Sequence, residues 1–198
     1  MNANLMDDAS FAVEALTSSD RVDLGTGRPF QQMARAGPRA TTHFDPDEGC
    51  AVIVSVGGLC PGANVVIRKF CNMLRNYGAP KIYGVRGGFS GIPDDSSWVR
   101  LTPEMVQDIH SQGGTFLKSE RGPTDHVAIA NALKAKNARQ LLDRGGDGAH
   151  KGILQIFTAV VELEHECACC GVPGTIEDDI PLVDTSLDLD TACTAAKE

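Results

Sequence analysis

The sequence predicts an α/β fold: a three-layer parallel sheet with helices on both faces. Three observations predict it. Apolar, strand-like runs alternate with helical segments from residue 51 to residue 171. Glycine-rich turns (GGLCPG, RGG, GGDG, GVPG) follow the strand-like runs. The 198 residues are 42% hydrophobic but only 5% aromatic, with 21 glycines, which suits one buried core with tight loops better than a helix bundle.

Residues 1–49 show no sustained period and mix Gly, Pro, Ser, Thr and charge. They predict a loosely ordered N-terminal extension with one short helix near 10–17. The domain proper is expected over 50–198. The run AVIVSV (51–56) is apolar and β-branched, as a strand buried on both faces requires. GGLCPG is a turn, and ANVVIRKFCNMLRNYG a helix. Val66, Phe70, Met73 and Leu74 recur there at helical spacing, and Gly78 is a natural stop. KIYGV (81–85) is a second short strand, and RGGFSGIPDD a flexible loop. LTPEMVQDIHSQGG carries helix punctuation: Thr102 as N-cap, Pro103 at the first position, Gly113 or Gly114 at the end. TFLKS is a candidate strand. DHVAIANALKAKN reads as a helix capped by Thr124. RQLLDR leads as a strand into GGDG, 149–164 forms a helix, and ECACC is a small-residue strand.

A formal charge of -8, with no clustered Lys and Arg, argues against a nucleic-acid partner. Seven cysteines in no evident framework suggest reduced thiols in a cytoplasmic protein. No apolar stretch approaches the roughly 20 residues that span a bilayer, so no membrane partner is expected. MNANLMDDAS has neither the basic start nor the apolar core of a secretory signal, and Asp7 and Asp8 disfavour a transit peptide.

In parallel sheets ligands sit at the C-terminal ends of the strands, where these loops should converge. Gly57-Gly58-Leu59-Cys60-Pro61-Gly62 joins a strand to a helix. Its glycines allow close approach of an anion to a helix N-terminus; a plain tight turn is the alternative. In Gly145-Gly146-Asp147-Gly148, Asp147 could hold Mg²⁺ through water while the glycines open backbone N–H groups to phosphate oxygens; an ordinary Asp-Gly turn is the alternative. In GVPGTIEDDIPLVD (171–184), Glu177 and Asp179 could accept a hydroxyl proton or bind metal, with Thr175 orienting the substrate; a solvated acidic loop is the alternative.

Together, Thr41-Thr42-His43-Phe44-Asp45-Pro46, GGLCPGAN, VQDIHSQGGTFLKSERG, GGDG and GVPGTIEDDIPLVDTSLDLDTA resemble the phosphofructokinase family, over about three-quarters of the chain and in the family's order. The GGLCPG and HFDP segments look most like its plant, protist and spirochaete branches. The resemblance implies transfer of the γ-phosphoryl of ATP to fructose 6-phosphate in glycolysis, with Mg²⁺. It implies nucleotide-phosphate contacts at Gly57, Gly58 and Gly148, the Mg²⁺ position at Asp147, and a nucleotide-side loop at Arg121. It further implies sugar-site and Mg²⁺-linked positions at Thr175 and Asp179, and the catalytic base at Glu177. In the family, Asp after GGD and Lys before TID accompany pyrophosphate use. Here Gly148 and Gly174 stand there, and both favour ATP.

The sequence departs from the family in four places. Glu177 replaces an aspartate. Asp143-Arg144 ends a strand that should be apolar, at a cost unless paired. Asp188 and Leu189 replace a glycine and a phenylalanine. The chain ends where the family's second lobe, with its sugar-phosphate arginines and histidine, would follow. The resemblance therefore implies a truncated nucleotide lobe, impaired or inactive as a kinase by itself. A second reading is a non-catalytic paralogue that binds nucleotide or pairs with a full-length subunit, as a homo- or hetero-oligomer. A third, a lipid or NAD kinase, shares only the GGDG loop. The remaining residues have plainer readings. His165, Glu166, Cys167, Cys169 and Cys170 could bind a soft metal, but without paired Cys spacings a buried strand of small residues is the simpler reading. His110 and His150 are structural or surface residues on helices. Lys134, Lys136 and Arg139 form a solvated face, and Phe70 and Met73 are core.

Overall fold

The computed structural model describes residues 11–13, 32–34, 41, 43–120, 125–176, 186 and 188–197. The chain divides into two units, Met1–His43 with Pro181–Asp184, and Phe44–Ile180 with Thr185–Glu198. In the first, β1 (Phe11–Val13) pairs antiparallel with β2 (Gln32–Ala34). The helix expected near 10–17 is therefore wrong at Phe11–Val13, a strand. Three residues of Phe-Ala-Val satisfy a cross-strand ladder as readily as a helical turn.

The second unit holds a five-stranded sheet in the order β5-β4-β3-β6-β7. Its strands are β3 (Cys50–Ser55), β4 (Ile82–Val85), β5 (Trp98–Arg100), β6 (Ala138–Gly145) and β7 (Ala168–Pro173). All neighbours are parallel except β5, which closes one edge antiparallel to β4. β3 is buried throughout because helices cover both faces. Cys50, Val52 and Val54 meet Ile129 and Leu133 of α2 (His126–Ala135) and Ile153, Ile156 and Val160 of α3 (Asp147–Glu162). Ala51 and Ile53 face the opposite way, toward Ile67, Cys71 and Leu74 of α1 (Ala63–Asn76). α4 (Leu189–Ala195) is a short helix near the C-terminus. These are the three layers the sequence predicts.

Several elements differ from expectation. The helix expected over LTPEMVQDIHSQGG is a chain of turns with a 3-10 turn at Ile109–Ser111. Thr102 does cap the first turn, accepting from Met105 N–H at 3.3 Å. The segment covers the α1 face with Leu101, Val106, Ile109 and Leu117, and its path is set from outside by α1 rather than by its own periodicity. Buried Asn64 pins it from α1, donating to Gln112 O at 3.1 Å and accepting from Phe116 N–H at 2.7 Å. TFLKS is not a strand; the nearest pairing is a lone bridge between Glu120 and Val56. RGGFSGIPDD is an ordered pair of turns that buries Phe89 and Ile92. β5 had no counterpart in the sequence reading. α2 is capped by Asp125, which accepts from the Val127 and Ala128 amides, and Thr124 lies outside the described residues. Met73 is exposed, not core: the buried stripe of α1 runs through Ala63, Ile67, Cys71 and Leu74, turning Met73 to the outside.

The basic residues in the last turn of α2 and just beyond it are more engaged than a solvated face. Lys134 Nζ donates to Leu163 O at 2.7 Å. Lys136 pairs with Asp95 at 2.7 Å and lies 5.5 Å from the Trp98 ring centroid. Arg139 reaches Glu166 O at 3.3 Å. His110 sits exposed in the 3-10 turn rather than on a helix. His150 is on α3, donating from Nδ1 to Gly146 O at 2.8 Å, and His165 Nε2 bonds Ala138 O at 2.8 Å.

Candidate functional site

Chain direction reverses its lateral progress between β3 and β6: from β3 the sheet grows to β4 on one side, then to β6 and β7 on the other. Such a switch point leaves a crevice at the C-terminal strand ends. A cleft of about 610 Å³ lies there, lined from Val56 to Cys60, by Gly146–Ala149, and by Gly174–Ile176. That volume is in the range of small-molecule sites.

The β3–α1 loop forms one wall. Gly57 has φ +98°, a left-handed backbone in which, among the described residues, nothing lies within 4 Å of where a Cβ would be. Its carbonyl accepts from Ser119 Oγ at 2.7 Å, and the Gly58 carbonyl accepts from Arg144 Nη1 at 3.3 Å. The loop's acceptors are thus tied to the protein.

The second wall is the N-terminus of α3. Gly145 must be glycine: a Cβ would overlap that of Ala149 and lie 2.8 Å from Val56 O. This close approach brings β6 directly into the helix. Gly146 caps α3, and the amides of Ala149 and His150 turn back to its carbonyl. The first-turn amides of Asp147 and Gly148 have no intrahelical acceptor, and the end of a 16-residue helix favours an anion. Asp147 is exposed and paired with Lys151 Nζ at 2.6 Å, so its carboxylate is available to a hydrated cation in exchange for that surface pair. Thr175, buried at the exit of β7, completes the lining, and its carbonyl accepts from Ser186 Oγ.

Gly57, Gly58, Asp147, Gly148 and Thr175 are therefore brought together in one cleft. Arg121, Glu177 and Asp179 lie outside the described residues. Ser90 and Glu120 also line the cleft, and the sequence reading missed them. An adjoining depression of about 390 Å³ shares these two and adds Arg86 and Lys118. The RGG turn after β4 was the available signal, because a glycine turn at a strand's C-terminal end belongs to the same edge.

Buried charge lies beneath the cleft. Arg144, 1% exposed, is ion-paired with fully buried Asp188. Burial pushes the Asp188 carboxyl up, and the guanidinium partly offsets this. Asp143 is fully buried with neither oxygen hydrogen-bonded among the described residues, and burial pushes its carboxyl from 3.8 to about 7.

Fold and cleft define an α/β lobe in which glycine loops and the N-terminus of a helix meet at the switch point of the sheet. The phosphofructokinase family model matches residues 50–198. ATP-dependent 6-phosphofructokinase 4, chloroplastic, of Arabidopsis thaliana is 40% identical over 164 residues, covering 82% of this chain and 31% of that protein. The ATP-dependent 6-phosphofructokinase of Borreliella burgdorferi is 38% identical over 163 residues, covering 81% and 36%. Among solved structures, Saccharomyces cerevisiae phosphofructokinase superposes with a TM-score of 0.67 at 21% identity over 76% of this chain and 20% of that one. A pyrophosphate-dependent phosphofructokinase from Marinobacter aquaeolei gives 0.66 at 17% identity, over 71% and 37%. The chain belongs to the phosphofructokinase family. It spans about a third of the length of these curated relatives. Among the described residues, no helix is long and apolar enough to cross a membrane.

Proposed function

We propose that this chain binds Mg·ATP in the cleft and supplies the nucleotide side of an ATP-dependent 6-phosphofructokinase. The reaction transfers the γ-phosphoryl of ATP to fructose 6-phosphate, a glycolytic step in the cytoplasm. The observation that carries the proposal is the meeting, at the switch point, of the Gly57-Gly58 loop with the α3 N-terminus and Asp147. The curated relatives, ATP-dependent by name, support the choice of donor. So does the open space beside Gly148, where a bulkier residue would narrow the phosphate site.

The residues then take distinct roles. The Asp147 and Gly148 amides and the β3–α1 loop bind phosphate oxygens. Asp147 would hold Mg²⁺, which when bound would neutralise charge on the transferred group. Thr175 holds the acceptor sugar, Asp179 assists the metal side, Glu177 takes the hydroxyl proton, and Arg121 closes the nucleotide side. Pairing with phosphofructokinase subunits belongs to the same proposal.

Titration calorimetry of the chain with Mg·ATP, then fructose 6-phosphate, then pyrophosphate tests it. Saturable Mg·ATP binding is expected. Tighter binding of pyrophosphate than of Mg·ATP would overturn the donor assignment, and no nucleotide binding would overturn the site. Mg·ATP binding without sugar binding would favour a nucleotide-binding, non-catalytic lobe.

A further inference from the structure

Two side chains that look misplaced in the sequence meet in the interior. Arg144 ends a central strand, and Asp188 precedes α4, 44 residues later. Each alone would be an unpaired buried charge. Together they form an ion pair with both side chains at 1% exposure or less.

The pair touches both loops that line the cleft from β3 and β7. Arg144 Nη1 donates to Gly58 O at 3.3 Å. Cys60 lies beside Asp188 and helps favour its carboxylate. The guanidinium also lies against Gly174, where a Cβ would be 2.7 Å from Arg144 Cζ and 2.9 Å from Nη2. The fork of the guanidinium thus spans Asp188 and Gly58, which a lysine ammonium has no rigid geometry to do.

Gly58 O belongs to the same planar trans peptide as the Leu59 N–H, so the two point in opposite directions. With the carbonyl drawn toward buried Arg144, the Leu59 amide is turned away from the interior, and Leu59 lines the cleft.

We propose that Arg144, held by Asp188, is a positioning residue that presents the Leu59 amide to a phosphate group of the ligand. This rests on the nucleotide reading of the cleft, and two measurements separate the failure of one from the failure of the other. The variant is the uncharged double Arg144→Met, Asp188→Leu, whose apolar pair replaces a buried ion pair without stranding either charge. Without ligand, the NMR order parameters of the Gly58, Leu59 and Cys60 amides should fall in the double variant from about 0.85 to below about 0.6, while those of β3 stay rigid. The Mg·ATP dissociation constant should rise about tenfold, the equivalent of one hydrogen bond to a charged group. Arg144→Lys, which keeps the charge but not the fork, should show the same weakening. Unchanged order parameters over 58–60 in the double variant overturn the positioning role, whatever the nucleotide does. A loosened loop with unchanged Mg·ATP binding overturns its link to phosphate. If the wild type binds no nucleotide, it is the site assignment that fails. Should the double variant not fold, Arg144→Lys must show the same two changes.

Discussion

Raising the pH should destabilise this protein through one residue, Asp143. Its carboxyl is fully buried, lacks a hydrogen-bond partner among the described residues, and is pushed by burial from 3.8 to about 7. The neighbouring groups are Arg144, whose charge opposes the shift, Cys170 on β7, and His150, which packs over Gly171, the residue paired with Asp143. A shift of this size separates the two protonation states by about 4 kcal/mol. The folded state favours the neutral acid, so folding takes up a proton between the two values. The stabilisation is complete below about pH 4, declines as the pH rises, and is lost once the folded carboxyl ionises above about pH 7. Between pH 5.5 and 8 the loss is about 2 kcal/mol. For a domain of this size that lowers the melting temperature by about 4–8 °C. Asp143→Asn removes the titration and keeps the shape. Thermal unfolding by circular dichroism at pH 5.5, 6.5 and 8 should therefore show the wild type losing that much more than the variant. Background titrations of other groups cancel in the comparison. Parallel pH profiles for the two proteins would refute the buried, neutral Asp143.

Gly148→Asp should leave thermal stability unchanged, since nothing among the described residues lies within 4 Å of the new Cβ. It should weaken Mg·ATP binding by about tenfold or more, through like charge beside the phosphates; undiminished affinity in calorimetry would count against the phosphate site. Asp147→Asn should lower ATP affinity in Mg²⁺ but not in EDTA, and an equal loss in both would remove the metal role. Gly145→Ala should cost about 2–3 kcal/mol in urea unfolding, because the helix and Val56 O leave no room for a Cβ; an unshifted midpoint would contradict the packing. Placed in a full-length phosphofructokinase context, Glu177→Asp should raise phosphoryl transfer in a coupled assay by as much as about 100-fold, by restoring the shorter reach of the carboxylate. An unchanged rate would show that the extra methylene is accommodated.

The parts of the fold that were legible in the sequence are those whose signal is local. β3 is a run of apolar residues because both of its faces are covered, and α1 and α3 follow glycine turns with a helical repeat behind them. β5 was not legible: three residues, Trp98–Arg100, give no alternation, and their strand state comes from β4 alongside. The false helix after Thr102 has the opposite cause. Its cap is real, but Asn64, far back in the chain, fixes Gln112 and Phe116 and imposes a different path. The same distinction runs through the cleft. Glycines after strands announce themselves, whereas Ser90, Ser119 and Glu120 gain their meaning only when other segments arrive beside them.

Gly148 and Gly174 look equivalent in the sequence, each a glycine where a side chain would alter the phosphate site. In space they are not. Among the described residues the volume beside Gly148 is open, so glycine there leaves room. Beside Gly174 the volume is taken, because the Arg144 guanidinium lies where a side chain would begin. A cation therefore does stand at the root of position 174, delivered from the next strand. Its partner Asp188 cancels its charge and fixes its direction. On the proposed reading, the ligand's phosphates meet oriented amides and a helix end here rather than a net positive side chain. Such a site suits a donor that brings its own Mg²⁺ and a long polyphosphate chain better than a small, bare anion that depends on a nearby cation. A substitution at Gly174 cannot be interpreted alone, since any side chain there must first displace Arg144, and with it the hold on Gly58.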